Sequence, residues 1–196
     1  MMPEQLTIYI TGRGGDANKG LGAYLKALDA NRIGLSINGQ FLKLSFDEQV
    51  GVVSKLIGDF DSADTYIIAN SYGAYLCLQA LIDAPQYLSR FLLLSPVIGA
   101  ALNLKQTAYS RLPSSQKYKQ VVADKRLTKP HSIEVHIGSE DAGYDALAFD
   151  DLCVALGSNL VNVIDGQGYG LERNTVQAIV TQFLGKQAIW IKIKPL

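Results

Sequence analysis

The chain has 196 residues, with 18 lysines and arginines balanced by 18 aspartates and glutamates, enough for one domain with a substantial core and too few for two. A balanced chain carries no field that would draw it to nucleic acid, an anionic membrane or an acidic partner, so a small neutral ligand is the expected class. The apolar 48% is split into short runs, far from the ~20 consecutive apolar residues of a membrane span.

The first residues, Met1-Met2-Pro3-Glu4-Gln5, lack the basic and apolar regions of a secretory signal, so the expected location is cytoplasmic. Short β-rich runs then alternate with helical patterns, the signature of an α/β fold: a mainly parallel sheet flanked by helices on both faces. Strands are expected at 6–11, 33–37, 65–69, 91–94, 133–137 and 160–164, and helices near 19–29, 46–57, 72–83, 144–156 and 171–184. Ser45-Phe46-Asp47-Glu48 reads as a capping box that starts the second helix. Residues 99–130, with Pro113 amid serine, lysine and tyrosine, break the alternation and read as an irregular, partly helical insertion, lid-like over a pocket. The tail Ala188-Ile189-Trp190-Ile191-Lys192-Ile193-Lys194 has strand period 2 and reads as an extra C-terminal edge strand, able to pair with its own sheet or a second copy's. Cys77 and Cys153 fall in helical patterns that read as buried, where thiols behave as small hydrophobes rather than as a disulfide.

Four segments carry the possible chemistry. Ala69-Asn70-Ser71-Tyr72-Gly73 stands between an apolar strand and an apolar-periodic helix. Small residues on both sides of Ser71 suit a tight strand-to-helix turn that lifts the hydroxyl above the sheet, a nucleophile elbow; the plainer alternative is a serine that only caps the helix. Thr11-Gly12-Arg13-Gly14-Gly15 is a strand running into a glycine-rich loop, whose spacing matches neither the dinucleotide nor the phosphate-loop fingerprint. Gly138-Ser139-Glu140-Asp141 follows a late strand, and Gly166-Gln167-Gly168-Tyr169 follows the last core strand. Serine, then aspartate, then a loop position is the hydrolase order.

On these residues the chain, from Leu6 to about Leu184, resembles the α/β-hydrolase family. Thr11-Gly12-Arg13 looks like the family's His-Gly loop with threonine in place of histidine. The resemblance implies an oxyanion hole at Gly12, made by the backbone amides of Arg13 and Tyr72. It also implies Ser71 as nucleophile and Asp141 as the triad acid, and it places Tyr169 where the catalytic histidine belongs.

That departure governs the expected chemistry. Histidine near pKa 6.5 takes a serine proton at neutral pH, whereas tyrosine near 10 is about one part in a thousand ionised. A nearby cation could lower a tyrosine pKa, and Arg13 is the one obvious candidate. Only two histidines exist. His136 lies inside a strand and His131 at that strand's far end, and with Cys153 they lack metal-ligand spacing. Tyr72 and Tyr144 are core fillers or pocket walls. No cofactor and no metal are expected. The leading reading is a carboxylesterase- or thioesterase-type scaffold, weak or inactive, that retains a pocket for a small acyl or ester ligand. The rivals are an active serine esterase with an unconventional base, and a non-catalytic interaction domain, a homodimer among its forms.

Overall fold

A computed structural model describes residues 5–28, 31–98, 113–141, 143–168 and 170–186. Tyr169, residues 99–112 of the insertion and the tail strand therefore lie outside the described residues. Six parallel strands form one sheet: β1 (Leu6–Ile10), β2 (Arg32–Leu35), β3 (Thr65–Asn70), β4 (Arg90–Leu94), β5 (Ser132–Gly138) and β6 (Val161–Ile164). Their order is β2-β1-β3-β4-β5-β6. Six α-helices connect or follow them: α1 (Leu21–Leu28), α2 (Phe46–Asp59), α3 (Tyr72–Ala80), α4 (Ser115–Ala123), α5 (Ala146–Leu156) and α6 (Arg173–Phe183).

The alternation of side chains along each strand builds two cores. Ile8, Ile10, Ile67, Ala69, Phe91 and Leu93 face one side, with Val53 and Ile57 of α2, all of α3, Tyr118 of α4 and Phe149 and Leu152 of α5. Tyr9, Ile68, Leu92 and Leu94 face the other, against Tyr24 and Leu25 of α1 and Val180 of α6. The central strands are buried on both faces, which is why they read as near-continuous apolar runs. Every residue of α3 is buried; a helix enclosed all round shows little amphipathic period.

Each of the six strands and five helices expected between residues 6 and 184 is present within a few residues. The Ser45 capping box is intact, its hydroxyl accepting from the Glu48 amide at 3.4 Å and the Glu48 carboxylate from the Ser45 amide at 2.8 Å. α3 stops at Ala80, short of the expected 83. Ile82 leaves to bridge Leu127, and Asp83, at φ 52°, donates its amide to Arg126 O at 3.0 Å. Within the insertion the described part forms α4, seated on α3 by an edge-on contact of Tyr118 with Tyr75, ring centroids 5.8 Å apart. Cys77 is fully buried but Cys153 only partly, because α5 turns one face to solvent.

Candidate active site

The carboxyl ends of the strands gather every singled-out segment whose residues are described, at the edge where open α/β sheets bind ligands. Residue pairs run in register across the sheet from Asn70 to Leu94, to His136, to Asn162. Ser71 leaves β3 just beyond that row, and its amide donates to Leu94 O at 2.8 Å.

Ser71 has φ 50° and ψ −114°, a strained conformation for a residue with a Cβ and far from the extended backbone of an ordinary helix cap. Its side chain forms no capping hydrogen bond. The helix-cap alternative therefore fails on both counts: the hydroxyl is not used to satisfy α3. Gly73 explains how so sharp a turn fits, since a Cβ there would stand 2.3 Å from Thr11 O and 2.9 Å from Ile10 O. Only a residue without a side chain lets α3 approach β1 this closely.

The glycine loop after β1 lies directly against the elbow. A Cβ on Gly12 would fall 3.2 Å from Ser71 Cβ and 3.7 Å from its Oγ. Thr11, at the position of the resembling family's histidine, is buried and structural: its Oγ1 donates to Gly12 O at 3.0 Å and accepts from the Ile37 amide at 2.9 Å. Gly14 donates its amide to Ile37 O at 2.7 Å. These bonds pin the loop to the end of β2 and hold the Gly12-Arg13 backbone over the serine. The Tyr72 amide belongs to the first turn of α3, where amides point out of the helix end and favour developing negative charge. The Tyr72 ring, by contrast, is core, its hydroxyl donating to Gln49 Oε1 at 2.9 Å. Burial raises its phenol pKa, and the exposed Arg13 guanidinium opposes that rise. Arg13 thus places its charge near Tyr72.

Asp141 is 4% exposed, and both carboxylate oxygens carry backbone amides: Oδ1 accepts from Gly143 at 2.8 Å and Oδ2 from Gly170 at 3.1 Å. Gly170 is the chain neighbour of Tyr169. Further bonds join the loops after β5 and β6. Gln167 O accepts from the Glu140 amide at 2.9 Å, Ile164 O accepts from the Ser139 amide at 2.9 Å, and Ser139 Oγ accepts from the Gly166 amide at 3.0 Å. A Cβ on Gly138 would collide with Gln167 O at 2.1 Å. Tyr144 donates its amide to Asp141 O and rests its ring on Phe149, with centroids 5.4 Å apart.

His136 stays within β5, its Nε2 3.3 Å from Glu134 Oε2, and His131 is exposed at the strand's amino end. Neither is on the loops around Ser71. The described residues contain no cluster of three or more potential metal-binding side chains, and none of their helices is long and apolar enough to cross a membrane.

One feature escapes sequence reading. Ser95 follows β4 at φ 44°, is 3% exposed, and its Oγ has no hydrogen-bond partner among the described residues. It occupies the position across from Ser71, between the strand that ends in the elbow and the strand that leads to Asp141. Only the Ser95-Pro96 dipeptide marks it in the sequence, and that reads as a strand end.

Comparisons with solved structures bear on the fold. The fold is similar to that of esterase PE8, with a TM-score of 0.59 at 15% identity, covering 92% of this chain and 93% of that one. It is similar to a monoacylglycerol lipase from Paleococcus ferrophilus, with a TM-score of 0.63 at 10% identity over 93% and 96% of the two chains. It is also similar to Arabidopsis thaliana SOBER1, with a TM-score of 0.56 at 13% identity over 93% and 98%. The chain therefore has an α/β-hydrolase-like fold. No family model matches it, and no curated protein matches its sequence.

Proposed function

We propose that this protein is a carboxylesterase- or thioesterase-type scaffold that binds a small neutral acyl or ester ligand at Ser71 and hydrolyses it feebly or not at all, because Tyr169 stands in the place of the catalytic histidine. The observation that carries this reading is the Asp141 carboxylate, held by the amide of Gly170, next in the chain to Tyr169. In a serine triad the acid orients an imidazole on that loop. Here the acid, the loop and the elbow serine are retained while the imidazole is missing. Ser71 is the nucleophile position, and the amides of Arg13 and Tyr72 are the oxyanion donors at Gly12. With the proton acceptor lost, what remains is binding and oxyanion stabilisation, about a thousandfold over water.

A fluorophosphonate probe tests this reading. The expected result is slow labelling, confined to Ser71 and abolished in Ser71→Ala. Rapid labelling at neutral pH would overturn it in favour of a working esterase.

A further inference from the structure

On the α1/α6 side of the sheet, a cavity of about 400 Å³ opens between the start of α1 and the start of α6. This is the size of a small-ligand pocket. Its apolar wall comes from Leu21 and Tyr24 of α1, Leu94 at the end of β4 and Val176 of α6. Its polar groups are Asn70, Arg173 and Gln177. None of the three side chains makes a hydrogen bond or ion pair with the described residues, whereas the hydroxyl of Tyr24 nearby is used, lying 2.7 Å from Thr181 Oγ1.

The chemistry of the lining selects the ligand. Arg173, Val176 and Gln177 lie three and four residues apart, so they share one face of α6. Arg173 is the first residue of that helix, where the macrodipole disfavours a cation. The helix has no acidic residue in its first turn, and Glu172 provides no capping bond. An anion at this point would be favoured by the guanidinium and by the helix end together. No acidic side chain lines the cavity, so a cationic ligand finds no partner. One guanidinium and two amides are too few donors for a phosphate dianion, but they match a carboxylate backed by an apolar body.

We propose that this cavity is a binding site for a small monocarboxylic acid with an alkyl or aryl body, its carboxylate on Arg173 and Gln177 and its apolar part between Leu21, Tyr24, Leu94 and Val176. The site does not use the Ser71 hydroxyl and stands whether or not that serine turns over esters. It does share a wall with the candidate active site. Asn70 precedes Ser71, and Gly170, which lines the cavity, donates the hydrogen bond that holds Asp141. A bound acid would therefore touch Asn70, which precedes the elbow serine, and Gly170, which holds Asp141.

Calorimetric titration of the whole protein with octanoate, octanol and inorganic phosphate tests the assignment. Octanoate is expected to bind at least about tenfold more tightly than octanol or phosphate. Arg173→Gln, a change at an exposed position, is expected to weaken octanoate by a similar factor with the circular dichroism spectrum unchanged. Val176→Phe fills the cavity and is expected to weaken octanoate too. Equal affinity for octanol, tighter binding of phosphate, undiminished octanoate binding by Arg173→Gln, or no octanoate binding at millimolar concentration would each overturn the proposal.

Discussion

The amide of Gly170 donates to Oδ2 of Asp141 at 3.1 Å while the other oxygen of the same carboxylate accepts from Gly143 at 2.8 Å. An acid so committed holds two loops together, and in a serine triad it would also hold the base. On the proposed reading one side chain would combine structural anchoring with catalytic orientation, and two experiments separate them.

On the proposed reading, replacing Tyr169 by histidine supplies the base that Asp141 would orient toward Ser71. Tyr169→His is expected to raise hydrolysis of a short activated ester by at least about a hundredfold, the lower range for a positioned general base. The gain should vanish in the Ser71→Ala, Tyr169→His double variant. Release of p-nitrophenol from the acetate ester measures both. No gain, in a variant that still folds, would remove the triad from the account.

Asp141→Asn keeps one acceptor oxygen and replaces the other with an amide that cannot accept. The expected cost is about 1–3 kcal/mol, the range for leaving a buried hydrogen-bonding group without its partner. Urea denaturation gives the stability. Hydrogen exchange should show faster exchange at Gly143 and Gly170 than at the central strands, and unchanged exchange there would mean that the carboxylate does not anchor the loop.

Gly73→Ala tests the elbow mechanically. The added Cβ would stand 2.3 Å from the Thr11 carbonyl oxygen, and since both partners are backbone, either α3 or β1 must shift. A loss of about 1–3 kcal/mol is expected, as for other overpacked sites, together with loss of probe labelling at Ser71. An alanine variant as stable as the parent, and labelled equally, would show that the approach of α3 to β1 is looser than the structure has it.

The tyrosines set the alkaline limit. Burial pushes the Tyr9 phenol up to about 12, with Arg32 partly opposing, and it raises Tyr72, Tyr75 and Tyr118 as well. The folded state thus binds protons that the unfolded chain, titrating near about 10, has already released. The stabilisation from these groups is complete below pH about 10 and is lost as the pH rises toward 12. Melting temperature should fall steeply in that window, with phenolate absorbance appearing in step with unfolding. Early, non-cooperative ionisation of Tyr9, Tyr72, Tyr75 and Tyr118 would contradict their burial.

Ser95→Gly removes an unpartnered buried hydroxyl and relieves a left-handed backbone at φ 44°. Both effects favour the glycine variant, against a modest entropic cost in the unfolded chain, so a gain of about 1 kcal/mol is expected. A comparable loss in urea denaturation would mean instead that the hydroxyl is held by an ordered water or a ligand.

The elements that the sequence made legible are those whose own residues decide them. The run Thr65 to Ala69 is apolar on both faces, all of it buried but Tyr66, and the Ser45–Glu48 box closes on itself within one turn. The small residues around Ser71 were readable for the same reason: the turn is local. What stayed hidden depends on residues far apart in the chain. Nothing near Gly138 announces that Gln167 O must lie against it, and nothing near Asn70 announces that Arg173 shares a cavity with it. α4 was blurred because its nine residues carry only three buried side chains, Tyr118, Val121 and Val122. Its position on α3 is set by Tyr75, not by its own pattern.

The strand order also bears on how the chain is made. β1, first in chain order of the six described strands, lies between β2 and β3; β3 joins β1, and from β4 onward each new strand is added to the edge left by the strand before it. Translation delivers the N-terminal part first, so after β1 every strand emerges to find its sheet neighbour already outside the ribosome. Among the six described strands the sheet can grow outward from β1, and by the end of β4 a four-stranded parallel core, β2-β1-β3-β4, has all its members present.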